Sequence, residues 1–152
     1  MDNEQLQSTI AAGEGPHLEF KEKYVSKVIE SLVAFSNTAG GRVLIGVDNR
    51  GRVIGVPDAD RTVESVLSAC REAVSPPLSP DVAIVRMPEG PIVVAQVQAT
   101  GRMHAKSGAI FVRHGRQTRR ATAEEIRSLT LQETVLRNLH KSTIAGPVIP
   151  VC

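Results

Sequence analysis

Apolar residues recur along this chain in two rhythms, one of three to four residues and one of two, and the switches between them mark the elements. Residues 3–12 suit a short leading helix closed by Gly13. "HLEFKE" then alternates, with Leu18 and Phe20 on one face and His17, Glu19 and Lys21 on the other, the period of a half-buried strand. In "YVSKVIESLVAFSNTAGG" the apolar positions Val25, Val28, Ile29, Leu32, Val33 and Phe35 return at helical spacing. An amphipathic helix is therefore predicted, stopped by Gly40 and Gly41.

"RVLIGVD" is a short β-branched run of the kind that forms a central strand, and "NRG" before "RVIGV" reads as a hairpin turn. A second helix is predicted from about Thr62 to Val74, burying Val63, Val66, Leu67, Cys70 and Val74. "SPPLSP" ends it with too many prolines for a regular element. "DVAIVRM", "PEGP" and "IVVAQVQA" form a second hairpin, "GRMHAKSG" a polar basic loop, and "AIFVRHG" another strand. Thr122 with Glu125 three residues on makes a capping box for "AEEIRSL", a helix that can continue through "QETVLRNLHK". This order predicts an α+β fold, a single domain over residues 1–141 with a mixed, mostly antiparallel sheet packed by helices. Residues 142–152 are expected to be a C-terminal tail, either disordered or docked on a neighbouring subunit.

Composition changes this picture little. The 152 residues suit one domain, and 41% apolar with 22% charged residues is ordinary for a globular protein. No apolar run is long enough to span a bilayer, and the polar, acidic start does not resemble a secretory signal, so a cytoplasmic protein mature from Met1 is expected, with no membrane partner. Cys70 and Cys152 lack neighbours at metal-ligand or disulfide-framework spacing, and Cys70 is expected in the core.

Charge is informative where it is uneven. Between Gly101 and Arg120 stand Arg102, Lys106, Arg113, Arg116, Arg119 and Arg120 without one Asp or Glu, a segment that would attract a polyanion. Aromatic residues make up only 3%, with no Trp, so recognition should rest on phosphate and duplex shape rather than base stacking. "NTAGG" is not a phosphate loop: its glycines follow a helix and precede a strand, and no "GK[ST]" occurs.

Glu14, Glu19 and Lys21 can be ordinary strand-surface chemistry unless a third group joins them. Asp48, at the end of the central apolar run, is a candidate, with a turn aspartate beside Asn49 as the competing reading. Three converging carboxylates need a shared cation, Mg²⁺ or Mn²⁺, which could serve phosphodiester hydrolysis with Lys21 offsetting charge on the phosphate. Of the scattered histidines, His17 stands nearest these carboxylates.

"EGPHLEFK", "VAFSNTAGGRVLIGVDNRGRVIGV" and "IFVRHGRQT" together resemble the signature blocks of the Schlafen-type AlbA-like domain, whose members are often labelled DNA-binding. The resemblance spans roughly Gly13 to Leu129 and implies a compact α/β domain that binds nucleic acid. It further implies nuclease carboxylates at Glu14, Glu19 and Asp48 holding a divalent metal, with Lys21 as the following lysine. In Schlafen proteins two such lobes build a basic groove for structured RNA such as tRNA, so a single lobe is expected to work as a homodimer. The expected function is a metal-dependent endoribonuclease whose Arg102, Lys106, Arg113, Arg116, Arg119 and Arg120 grip phosphates. The alternative is a DNA- or RNA-binding module that regulates without cutting.

Overall fold

The structure, a computed structural model, describes residues 1–144, with side chains described through Leu139. Helix α1 (Asn3–Ala12) starts on a capping box: the Asp2 carboxylate accepts the Gln5 amide at 2.8 Å, and the Gln5 side chain accepts the Asp2 amide at 2.9 Å. Gly13, at φ 81°, closes it.

Strands β1 (Leu18–Lys21) and β2 (Gly41–Ile45) run parallel, joined by helix α2 (Ser26–Asn37). After helix α3 (Ala59–Glu72) and a two-residue strand β3 (Val74–Ser75), the hairpin of β4 (Asp81–Met87) and β5 (Gly90–Val97) completes a four-stranded sheet in the order β1-β2-β5-β4. β5 is antiparallel to both β2 and β4, so the sheet is mixed, as the element order predicts. β6 (Ala105–Lys106) pairs with β3, and β7 (Phe111–His114) with β8 (Gln117–Arg120) in a separate ribbon. Helix α4 (Ala123–Ile144) follows.

The alternation along each strand divides the core in two. Leu18, Phe20, Leu44 and Val94 face α1, against Leu6 and Ile10; Val43, Ile45, Val93 and Ala95 face α2 and α3, against Ile29, Val33, Val66 and Cys70. Cys70 is core, as expected, and burial pushes its thiol up to about 12. The expected alternation of β1 holds, but the centre of its polar face, Glu19, does not meet water, while Lys21 is partly exposed. Helix α2 and the β7–β8 ribbon cover Glu19, which is only 6% exposed.

Three expectations need correction. "RVIGV" forms no hairpin strand on β2, because β1 and β5 already occupy both of its hydrogen-bonding edges. The segment makes only a Val47–Val53 bridge, and the Ile54 and Gly55 amides donate to the Gly46 carbonyl. Helix α3 starts earlier, at an N-cap where Asp58 accepts the Arg61 amide, and Leu67 is exposed while Ala59, Val66 and Cys70 carry the packing. The basic loop contains β6, and "QTRR" is the unforeseen strand β8. Helix α4 runs to Ile144, and most of the expected tail, residues 145–152, lies outside the described residues.

Candidate functional site

Parallel pairing places Glu19 opposite Val43, on the face that α2 covers. A carboxylate there needs partners, since an unpaired buried charge costs several kcal/mol. Its Oε1 accepts from Nη1 of Arg113, its Oε2 accepts the Ser31 hydroxyl, and Lys21 Nζ lies 3.5 Å from Oε2. Arg113 is the deeper partner, its side chain fully enclosed. Its Nη2 donates to the carbonyls of Gly15 (3.0 Å) and Leu18 (3.1 Å), and Nη1 also donates to the Thr118 hydroxyl (2.9 Å). Its Nε is shared between the carbonyls of Gly15 and Gly115. Because the Ser31 proton goes to Glu19, Thr118 donates across 3.2 Å to Ser31 Oγ, which closes a ring through Arg113, Thr118, Ser31 and Glu19.

The guanidinium also lies over the Phe35 ring, 4.8 Å from its centroid. That ring sits against Gly41, where a Cβ would stand 2.5 Å from Phe35 Cδ1. Gly41, expected to help stop α2, thus serves chiefly as a flat seat for the ring under Arg113; the cap itself is Thr38, with Gly40 at φ 81° donating to the Phe35 carbonyl.

The other carboxylates do not join Glu19. Glu14 lies against the open edge of β1, where its Oε1 accepts the Phe20 amide at 2.8 Å and its Oε2 lies 3.6 Å from Arg116 Nη2. Asp48 is 3% exposed and turned into its own loop. Its Oδ1 accepts the amides of Arg50 (2.9 Å) and Arg52 (2.8 Å), and its Oδ2 accepts Nε of Arg52 at 2.8 Å. The Arg52 amide, helped by the Arg52 side chain and the Arg50 amide, holds the Asp48 carboxyl below its usual range against the opposing pull of desolvation. That loop lies on the α1 side: a Cβ on Gly51 would stand 3.5 Å from Ile10 and 3.9 Å from Phe20. Glu19 reaches toward α2 from the other face.

Among the described residues no three His, Cys, Asp or Glu side chains are grouped to hold a metal ion. A divalent cation does not fit the set Glu14, Glu19 and Asp48 as they stand. Their oxygens are engaged by an amide, a guanidinium, a hydroxyl and a turn, and the turn is on the opposite face of the sheet. His17 is directed elsewhere too, its Nδ1 3.0 Å from the Gly40 carbonyl.

The basic segment separates into tied and free cations. Arg113 has no N–H left for phosphate, which corrects its expected role. Lys106 meets Glu30 at 3.3 Å. Arg119 grips both oxygens of Glu125, at 2.7 and 2.8 Å, and Glu125 also completes the predicted capping box with Thr122. Arg102, Arg116 and Arg120 are exposed, and among the described residues Arg102 and Arg120 form no ion pair while Arg116 has only its long contact with Glu14.

Sequence reasoning missed Ser31 and Thr118. Ser31 left a signal, a hydroxyl in the helical stripe between Val28 and Phe35, where only a buried polar partner makes it tolerable. Thr118 left none without β8.

The family profile described as "Schlafen, AlbA_2" matches residues 14–122. The fold is similar to that of the DIP2311 protein from Corynebacterium diphtheriae, with a TM-score of 0.60 and 18% identity over 78% of this chain; the chain spans 25% of that protein's length. It is also similar to the N-terminal domain of a RecG-related protein from Nitrosomonas europaea, with a TM-score of 0.54 and 22% identity over 65% of this chain and 74% of that one. No curated protein sequence matches the chain significantly.

Proposed function

The chain belongs to the Schlafen, AlbA_2 family, and from that premise we propose that it is a nucleic-acid-binding domain that holds a duplex by its phosphates without cutting it. One observation carries the reading: the carboxylates that chemistry would need are each committed to separate partners within the domain, while Arg102, Arg116 and Arg120 project into solvent. Exposed guanidiniums bind phosphate oxygens with geometric specificity, and releasing condensed counterions drives the association. The RecG-related neighbour is named for an ATP-dependent DNA helicase, which agrees with nucleic acid as the partner class. Hydrolysis of structured RNA, the other expectation, requires a cation that this donor set does not fit, so no hydrolytic step is derived.

The test is retention of labelled tRNA and of duplex DNA in EDTA and in Mn²⁺, across a salt series. Binding is expected in EDTA, weakening with salt, and without metal-dependent products. Arg102→Ala and Arg120→Ala should each flatten the salt slope by about one unit. Absence of binding at low salt would overturn the proposal, and Mn²⁺-dependent cleavage abolished by Glu19→Gln would restore the endoribonuclease. The homodimer expected of a single lobe belongs to the same proposal. The exposed Leu131, Val135 and Leu136 of α4 are an apolar surface of the kind subunits cover, and sedimentation velocity on the chain and on Val135→Glu reads it directly.

A further inference from the structure

The β7–β8 hairpin is attached to the domain chiefly through β7, with Thr118 and Arg119 of β8 adding contacts to Ser31 and Glu125. At its base the Asn37 side chain donates to the Phe111 carbonyl, and the Arg113 amide donates to the Thr38 hydroxyl. In its middle Arg113 is bound to β1 through Glu19 and the Leu18 carbonyl, and just beyond β1 through the Gly15 carbonyl. Beyond that point the turn is held only by the Gly115 carbonyl accepting from Arg113 Nε and by the 3.6 Å contact of Arg116 with Glu14. His114, Gly115, Arg116 and Gln117 are all exposed, with Gly115 at φ 60° permitting the tight two-residue connection. The result is a short two-stranded ribbon with a rigid root and a tip that presents an imidazole, a guanidinium and a carboxamide.

We infer that this tip is the element that enters the nucleic acid, and that Glu19 and Arg113 are positioning residues forming a buried clasp that aims it. The inference rests on the nucleic-acid-binding reading and specifies how that reading is carried out. The groove it fits is the wide one of a B-form duplex. That groove is about 12 Å across and admits a two-stranded ribbon, whereas the deep groove of A-form RNA is closed to side chains. Arg and Gln are also the side chains whose paired donors and acceptors match guanine and adenine edges there.

The clasp gives Glu19 a role distinct from both metal ligation and surface decoration. Through Arg113 it acts on the ribbon without touching the ligand, so its loss should change the strength of binding and leave the number of phosphate contacts unaltered. A phosphate contact behaves oppositely, because removing one lowers the salt slope.

The experiment measures affinity and salt slope for a B-form DNA duplex and an RNA duplex of the same sequence, with four variants of the full chain. Arg116→Ala combined with Gln117→Ala should weaken DNA binding about tenfold or more, with unchanged thermal stability, since both side chains are exposed. Glu19→Gln keeps the shape of the clasp and removes its charge. It should weaken binding with an unchanged salt slope and speed amide exchange from Arg113 to Thr118 in the free protein. Arg113→Met combined with Glu19→Gln should bind no worse than Arg113→Met alone, the mark of residues acting as one unit. Wild-type affinity unchanged by the tip variant would overturn the inference while leaving the binding reading intact. Equal loss on both duplexes would overturn the groove assignment, and a reduced slope for Glu19→Gln would overturn the clasp. If the wild-type chain binds neither duplex at low salt, the binding reading falls and takes the inference with it.

Discussion

Two arginine–glutamate pairs tie down the same hairpin, and they do different things. Arg113–Glu19 is enclosed, with the remaining Arg113 donors satisfied by carbonyls and the Thr118 hydroxyl. Arg119–Glu125 joins the end of β8 to the first turn of α4 with both side chains 35% exposed. In water the second pair competes with solvent and salt; in the core Arg113 meets no other carboxylate, and Glu19 has besides it only the more distant, partly exposed Lys21. Burial, not the identity of the pair, decides which is a structural requirement. The same segment of sequence therefore contains a cation that cannot reach a ligand and others that can.

The largest effect should come from splitting the enclosed pair. Arg113→Ala or Glu19→Ala leaves one buried charge without its partner and should cost about 3–5 kcal/mol of unfolding free energy, read from urea midpoints. Removing both together, as Arg113→Met with Glu19→Gln, should cost less than the two single losses combined, because no naked charge remains. Additive costs would mean that the two side chains are not coupled, and the contrast with Arg119–Glu125 would disappear. Arg119→Ala, by comparison, should leave the midpoint nearly unchanged.

The enclosed pair can also be disturbed from beneath. Gly41→Ala places a methyl where the Phe35 ring now lies, so the ring must shift from under Arg113. Overpacking of this kind should cost about 1–3 kcal/mol. Phe35→Leu in the same background should recover part of that loss, which calorimetry would show.

What the sequence made legible follows from which forces act locally. Helices α1, α2 and α4 and the β4–β5 hairpin were readable because capping boxes, helical stripes and turn residues are short-range signals. The "RVIGV" strand was misread because the decisive fact, that both edges of β2 are already filled, is non-local. The carboxylates show the same limit. The family resemblance implied one site, yet period-two geometry sends Glu19 to the α2 face while the loop holding Asp48 folds against α1. Arg113 was indistinguishable from Arg116 and Arg120 in the sequence, since nothing local marks which arginine of a basic run turns inward. Ser31 was the one long-range clue within reach.

The exposed pair should reveal itself through pH. Its hydrogen bonds from Arg119, then those from Thr122, lower the Glu125 carboxyl from an ordinary 4.5 to about 2. A carboxyl lowered on folding stabilises fully above its unfolded value and loses that contribution as pH falls through the folded one. The start of α4 should therefore be intact above about pH 4.5 and loosen toward pH 2, which carboxyl titration and amide exchange at residues 123–126 can follow. Glu125→Gln should abolish the dependence in that window. Persistence of the transition in the variant would assign it to another group.

The smallest effect on stability should come from Arg116, and that is what makes it useful. Its contact with Glu14 is 3.6 Å long and its side chain is 71% exposed, so Arg116→Ala should change the unfolding free energy by about 0–1 kcal/mol. Glu14→Ala should cost more, because the Phe20 amide on the β1 edge then loses its acceptor. If Arg116 meets a phosphate or a base edge when ligand is bound, it must leave Glu14 to do so, and the weakness of that contact keeps the exchange inexpensive. Arg113 cannot make the same exchange without dismantling its ring of carbonyls and hydroxyls. A variant that binds poorly and melts normally at Arg116, beside one that melts early at Arg113, would separate the two kinds of arginine within a single hairpin. Equal melting of both would show that the enclosure of Arg113 contributes nothing to the stability of the fold.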